Sequence, residues 1–335
     1  MLAVRPAGPA DLEVMMELAV LSGRGFTSLP ADEPTLEARL ELSQASFRGE
    51  VAPPEAWYTL MLEDDETGRA EGLAAIRAGV GLKRPHFSFR IVTLAQYSSA
   101  TQTRFDHQAL VLVNECAGWT EVGSLFLRPE LRSGGAGSLL ARSRYMLIGA
   151  DPLRFSHTVM AELRGWFDDA GRSPFWEGVA SKFYRLPFEE ADRMVMSTDG
   201  QFILDLAPRH PIYVELIDRD ACDAIGRVNR EGEPAMAMLE REGFERSGLI
   251  DIFDGGPTMT CPRDEITTIQ SASACRVAID PAVTGEPLLL STSEVETFRC
   301  VRAAAMRDGD VATITPETAQ ALRVREGDAV RVCER

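Results

Sequence analysis

The segment that most limits the fold is Ser124–Ile148, SLFLRPELRSGGAGSLLARSRYMLI. An apolar extended run meets a proline, a glycine cluster follows an arginine, and apolar residues then recur at helical spacing. That order specifies a strand, a tight loop and a helix whose Leu139, Leu140, Ser143, Met146 and Leu147 turn to a core. The loop spells Arg132-Ser133-Gly134-Gly135-Ala136-Gly137. Successive amides without side chains, at the positive end of a helix dipole, form a nest suited to a pyrophosphate.

Three nucleotide chemistries compete for such a nest. A phosphate-transferring P-loop needs Gly-Lys-[Ser/Thr], and Gly137-Ser138 has no such lysine. A dinucleotide site needs a Gly-x-Gly-x-x-Gly run and a later acidic residue, and the glycines here have another spacing. Coenzyme A fits: its pyrophosphate takes the helix end while the pantetheine arm runs beside the preceding strand. A glycine-rich turn without a ligand is the competing structural reading.

Elsewhere the chain opens on a strand, LAVRP, then a Pro/Gly turn and Asp11 as a helix cap before Leu12, Met15, Met16 and Ala19. Gly25–Pro30 is rich in turn formers, and a polar helix follows over EPTLEARLELSQASF. YTLMLEDDETGRAEGLAAIRAGV alternates and breaks at Asp64–Gly68, which predicts a hairpin. A variable stretch separates it from the strand at Ser124, and TVMAELRGWF predicts a further strand. The tail carries short alternating strands, a tight turn at REGD and a one-turn helix from Thr315-Pro316. The expected organisation is a mixed α/β (α+β) domain over 1–270 and a small β-barrel-like domain over 271–335.

A net charge of −16 disfavours nucleic acid and anionic lipid and demands a local basic pocket for any polyanion. Arg132 is the first choice for a phosphate contact, with Arg128, Arg142 and Arg144 as helpers. The start turns polar at Arg5 and has no charged-then-apolar leader, and no apolar run reaches about 18 residues, so a cytoplasmic location without a membrane anchor is expected. The six cysteines are scattered without a CxxC pair, which predicts reduced thiols and no zinc site.

The strand, the Arg-x-x-Gly-x-Gly loop and the helix, after the VRPAGPADLEVMMELA opening, resemble the GNAT acyltransferase superfamily. More narrowly, the chain is similar to bacterial arginine N-succinyltransferases. The blocks that carry this likeness are GFTSLPADEPTLEARL, LEDDETG, VGSLFLRPELR, SPFW, HPIY, LEREGF and IDIFDGGPT, in one order along nearly the whole chain. The resemblance implies an acyl-CoA N-acyltransferase fold and succinyl transfer from succinyl-CoA, a co-substrate rather than a resident cofactor, to the α-amine of L-arginine. It places Leu125 against the acyl-CoA. A homo-oligomer, or a hetero-oligomer with a paralogue, is the expected assembly.

Direct amine attack on a thioester needs positioning, proton transfer and polarisation of the carbonyl. Leu125, Phe126 and Leu127 are expected to offer backbone donors beside the thioester, and Arg132, Gly135 and Gly137 to hold the pyrophosphate. Arg90 is a candidate for a substrate carboxylate, and Asp251 or Asp254 for the guanidinium. Thr27 and Ser28 lie in a loop suited to closing over substrate. The family's proton-donor histidine lies in a Val-His-Pro segment, and the matching segment here is Val228-Asn229-Arg230. Asparagine exchanges no proton near neutrality, so His210, in the HPIY block, and Tyr184 are the substitutes. Asn229 also motivates an alternative function, a weak or silent acyl-CoA-binding subunit of a hetero-oligomeric arginine/ornithine succinyltransferase.

Overall fold

The structure is a computed structural model and describes all residues except 24–27, 189, 192–193, 195–200 and 335. Two compact units emerge, one from Met1–Gly79, Trp119–Val159 and Cys261–Arg335, the other from Val80–Gly118 and Met160–Thr260.

In the first unit β1 (Leu2–Pro6), β2 (Trp57–Asp64), β3 (Ala70–Arg77) and β6 (Thr120–Leu127) pair antiparallel in that order. The β2–β3 turn falls at the Asp64–Gly68 break, where the Gly68 amide donates to the Asp64 carbonyl at 2.7 Å. Helices α1 (Leu12–Ser22) and α2 (Glu33–Phe47) bury Met15, Leu18, Leu36 and Leu40 against Met61, Leu73 and Phe126. Asp11 stands at the α1 cap position without capping it. Its carboxylate instead accepts from Arg5 at 2.7 and 2.9 Å and from the Gly8 amide at 2.6 Å, which engages both oxygens.

The same unit holds the tail, where β11 (Ala272–Ile279), β12 (Pro287–Thr292), β13 (Cys300–Asp308), β14 (Val311–Ile314) and β15 (Ala329–Cys333) form a ring. The order runs β12-β15-β11-β14-β13, and β13 pairs back to β12. Alternate inward residues, among them Val277, Leu290, Val301, Ala312, Ile314, Val330 and Val332, fill it with Leu322 of the helix Pro316–Leu322. That helix exceeds the single turn expected, and Thr315 caps it through the Thr318 amide. β13 also pairs with β1, Ala3 opposite Val301.

The second unit is built on a hairpin of two eleven-residue strands, β4 (Ser88–Ser98) and β5 (Thr103–Val113). The sequence specifies no element there, because its alternation is interrupted by polar residues on an exposed far half. β9 (Glu245–Asp251) pairs with β4, β10 (Pro257–Pro262) with β9, and the two-residue β8 (Ile212–Tyr213) with β5. Phe89, Phe175, Trp176, Tyr184 and Phe202 form an aromatic core beside Leu110 and Ile250. The segment read as a strand through Phe167 ends as β7 (Thr158–Glu162), with one bridge at Gly165 to Val228. None of the six cysteines is in a disulfide.

Candidate active site

The β6 strand carries an irregularity near its C-terminal end. Phe126 faces Leu73 and Gly123 faces Ala75, so Ser124 and Leu125 together oppose Ala74. Ser124 takes up the extra residue in left-handed backbone, φ +49°. Such a bulge bends its strand and withdraws groups from the ladder beside it. Buried Ser124 donates from Oγ to the Ser28 carbonyl at 2.7 Å, which ties the expected substrate loop to the bulge. Leu125 is partly exposed, whereas Phe126 and Leu127 are buried.

After β6 the chain turns through Pro129–Leu131 into the glycine loop, and helix α3 runs Ala136–Ala150. Gly134 and Gly135 have φ +92° and +91°, a region that residues with a β-carbon avoid. Gly135 caps α3, no side chain caps it, and the first intrahelical bond is Leu139 N–H to Gly135 O. The amides of Ala136, Gly137 and Ser138 therefore open forward, as at any helix start. A β-carbon on Gly134 or Gly137 would meet nothing within 4 Å. Leu139, Leu140, Ser143, Met146 and Leu147 are all buried.

The basic residues sort differently from expectation. Arg132 is exposed, with its Nε donating to the Leu127 carbonyl at 3.3 Å and its guanidinium 5.6 Å above the Phe126 ring. Arg128 is buried and bound by both oxygens of Glu17 at 2.6 and 2.7 Å. Arg142 donates to Thr268 and to the Cys333 sulfur, and Arg144 is buried. Two of these three helpers are buried and the third, Arg142, is half-buried and already hydrogen-bonded. A cation the sequence did not single out lies beside the loop: Arg302 of β13 has Nη1 3.2 Å from where a Gly135 β-carbon would stand. Arg302 is exposed and, among the described residues, has no ion-pair partner.

In the second unit the structure brings Asp251, Asp254 and Asn229 into one neighbourhood. Asp254 is buried, and its oxygens accept the Gly165 and Gly256 amides, each at 2.8 Å. Asp251 Oδ1 accepts the Phe253 and Asp254 amides at 2.7 and 2.8 Å, which leaves Oδ2 without a partner among the described residues. Burial, then the charges of Asp254 and Glu162, push the Asp251 carboxyl well above the usual carboxylate range. Burial also raises Asp254, against the pull of its two amide donors. Asn229 sits beside this turn: its amide donates to the Arg164 carbonyl at 2.9 Å, and its Oδ1 accepts the Glu231 amide at 3.0 Å as the cap of Arg230–Gly232.

Other expected residues lie outside that neighbourhood. Arg90 is held by both oxygens of Glu115 at 2.5 Å and by the Ser247 carbonyl at 3.0 Å, so its charge is already matched. His210 is exposed in the bend before β8 and makes no hydrogen bond among the described residues. Tyr184 is buried between Trp176 and Phe253, its hydroxyl has no hydrogen-bond partner among the described residues, and burial raises its pKa. A poorly acidic, dry phenol is a weak proton donor. His86 meets Glu162 at 2.9 Å, a histidine–carboxylate pair that no motif announces because 76 residues separate its members. Thr27 lies outside the described residues.

Residues 2–268 match the family described as "Arginine N-succinyltransferase beta subunit", and residues 273–334 match its C-terminal domain. The arginine N-succinyltransferase of Escherichia coli (strain 55989 / EAEC) is 37% identical over 334 residues, covering 99% of this chain and 97% of that protein. That of Shigella flexneri matches to the same extent. The structure of arginine/ornithine succinyltransferase subunit AI from Pseudomonas aeruginosa superposes with a TM-score of 0.90 at 33% identity, covering 99% of this chain and 98% of the other. The mixed α/β architecture expected from sequence is therefore that of a known fold.

Proposed function

Because the chain belongs to the arginine N-succinyltransferase family, we propose that it transfers the succinyl group of succinyl-CoA to the α-amine of L-arginine. The observation that carries the reading is the continuous unit of bulged β6, left-handed glycine loop and uncapped α3. On this reading the pyrophosphate takes the amides of Ala136, Gly137 and Ser138, with Arg132 and Arg302 supplying charge that the acidic chain otherwise lacks. Leu125, Phe126 and Leu127 border the thioester at the bulge.

The amine nitrogen forms a bond to the thioester carbon, the C–S bond breaks, and CoA leaves as thiolate. The proton released by the amine ends on that thiolate. Asn229 has no titratable proton near neutrality, so its part is to cap and orient the Arg230–Gly232 turn. His210 remains a candidate proton carrier by its exposure alone. The amide product costs no covalent enzyme intermediate when both substrates are held together. Asp251 is assigned the guanidinium, since Oδ2 is open and an arriving cation would restore the ionised form that burial opposes.

A reaction fed by succinyl-CoA belongs in the cytoplasm, and no helix among the described residues is long and apolar enough to cross a membrane. Assembly with copies of itself or a paralogue completes the reading. The test is thiol release by the purified chain from succinyl-CoA, with L-arginine, ornithine and other amines in parallel. Release that requires arginine or ornithine supports the reading, and release indifferent to the amine removes it.

A further inference from the structure

Arg39 is a cation in the wrong company. It projects from α2 into the narrow cleft formed with Ser28, Trp57, Thr59, Ala75 and Ser124, beneath the β6 bulge. Its Nη1 donates to the Ser28 carbonyl at 2.7 Å, the same oxygen that accepts the Ser124 hydroxyl. Its guanidinium carbon stands 4.8 Å from the centre of the Trp57 ring. Among the described residues no carboxylate lies within ion-pair distance of Arg39, in a chain with 51 acidic side chains and 35 basic ones to neutralise them.

Arg39 is half-buried, and a partly desolvated charge without a counter-ion is less favourable than a paired one. Burial, aggravated by the like charge of Arg77 and only partly relieved by Glu121, lowers the Arg39 pKa to about 10. Arg77 lies on β3 directly between Trp57 of β2 and Glu121 of β6, on the sheet face that bears the cleft. One neutral carbonyl and one ring face leave the other N–H groups of the guanidinium without acceptors among the described residues, in the fork geometry that matches a carboxylate. The arginine that sequence alone favoured for this task, Arg90, is already saturated by Glu115.

We propose that Arg39 is the residue that binds a substrate carboxylate at the β6 bulge, and so sets specificity for carboxylate-bearing substrates. The inference rests on the acyl-CoA reading, because its meaning comes from the bulge beside which Arg39 stands. Two substrate carboxylates share this chemistry, the distal one of the succinyl group and the α-carboxylate of arginine. The cleft itself retains only about 10 Å³ of free space, so a carboxylate would arrive by drawing the guanidinium off the Ser28 carbonyl. This arrangement makes Arg39 a binding residue with no part in proton transfer.

The experiment uses the full chain and paired ligands. Calorimetry compares succinyl-CoA with butyryl-CoA, which has the same acyl length and no distal carboxylate. Steady-state kinetics compares L-arginine with agmatine, its decarboxylated form. Arg39→Gln, which keeps a donor for Ser28, should lose at least about tenfold on one carboxylate-bearing member and less than about twofold on its partner. Loss confined to succinyl-CoA assigns the acyl carboxylate, and loss confined to L-arginine assigns the α-carboxylate. Arg39→Lys should recover part of the loss, since it restores charge without the fork. Equal losses within each pair, or none, overturn the assignment of Arg39 and leave acyl-CoA binding standing. Failure of the wild type to bind either thioester overturns the acyl-CoA reading and this inference with it.

Discussion

Asp254 Oδ2 accepts the Gly165 amide at 2.8 Å, and a β-carbon on Gly165 would stand 2.1 Å from the Asp254 carbonyl oxygen. The two backbones touch, and the second carboxylate oxygen is taken by Gly256. Asp254 thus holds the Gly165 and Gly256 backbones, whereas Asp251 Oδ2 accepts no hydrogen bond among the described residues. Asp254→Asn should destabilise by about 1–3 kcal/mol, because an NH2 group would face a backbone amide. Gly165→Ala should cost more, since backbone must move. Thermal denaturation checks both.

Asp251→Asn should raise the KM for arginine several-fold and leave that for succinyl-CoA nearly constant, since it removes one charge-assisted contact to one substrate. Equal changes in both constants would remove Asp251 from the guanidinium role.

The same carboxyl has a pH signature. Its folded pKa lies above the unfolded value, so the folded state holds the proton more tightly. Stability therefore declines as pH rises from the ordinary aspartate pKa of about 3.9 through the raised folded value. Asparagine has no charge to bury and keeps an Oδ1 for the Phe253 and Asp254 amides. Asp251→Asn should match the wild type near pH 4 and gain on it toward neutrality, as read by denaturant unfolding.

The glycine loop separates fold from ligand. A Gly137 side chain would enter open space, whereas Gly135 has left-handed backbone with Arg302 alongside. Gly137→Val should leave stability within about 0.5 kcal/mol of the wild type, because valine is no poorer a helix former than glycine and its side chain enters open space, yet weaken CoA binding about tenfold by obstructing the amides. Arg302→Ala should weaken CoA by about fivefold, the worth of one exposed charge-assisted contact of about 1 kcal/mol. Calorimetry with CoA measures both. An unchanged affinity in both variants would mean the nest binds no pyrophosphate.

Asn229→His tests the departure from the family's motif. It forfeits a cap worth about 1 kcal/mol, because the Asn229 side chain now accepts the Glu231 amide. It also introduces a group with a pKa of about 6.5. If position 229 is where a proton is handed to the thiolate, turnover should rise about tenfold or more despite the lower melting temperature. Unchanged or reduced turnover would point the search to His210 or to the His86–Glu162 pair.

Local patterns carried the first unit. The Pro/Gly turn, the Asp64–Gly68 break and the Arg132–Gly137 loop each encode backbone geometry in the residues themselves, and the observed elements fall there. The alternating tail likewise predicted short strands, though which strand closes the ring on which is set by β12–β13 pairing that no local pattern contains. The site was less legible because it depends on long-range pairing. Arg90 and Arg128 look like free cations until Glu115 and Glu17 are found on them. Arg302 and Arg39 look like ordinary surface arginines until the fold sets one beside Gly135 and strands the other over Trp57. Ser124 gave no sign of its left-handed backbone, because serine is not a residue that marks such a bulge.

The central claim is the reaction itself, and mass analysis of its product tests it most directly. The purified chain alone, incubated with succinyl-CoA and L-arginine, should yield free CoA and an equal amount of arginine carrying one succinyl group on its α-nitrogen. Fragmentation that places the acyl group on the α-nitrogen, and its absence when acetyl-CoA replaces succinyl-CoA, is the predicted result. CoA release without an acylated amine, or no turnover by a folded chain that binds both substrates, would contradict it.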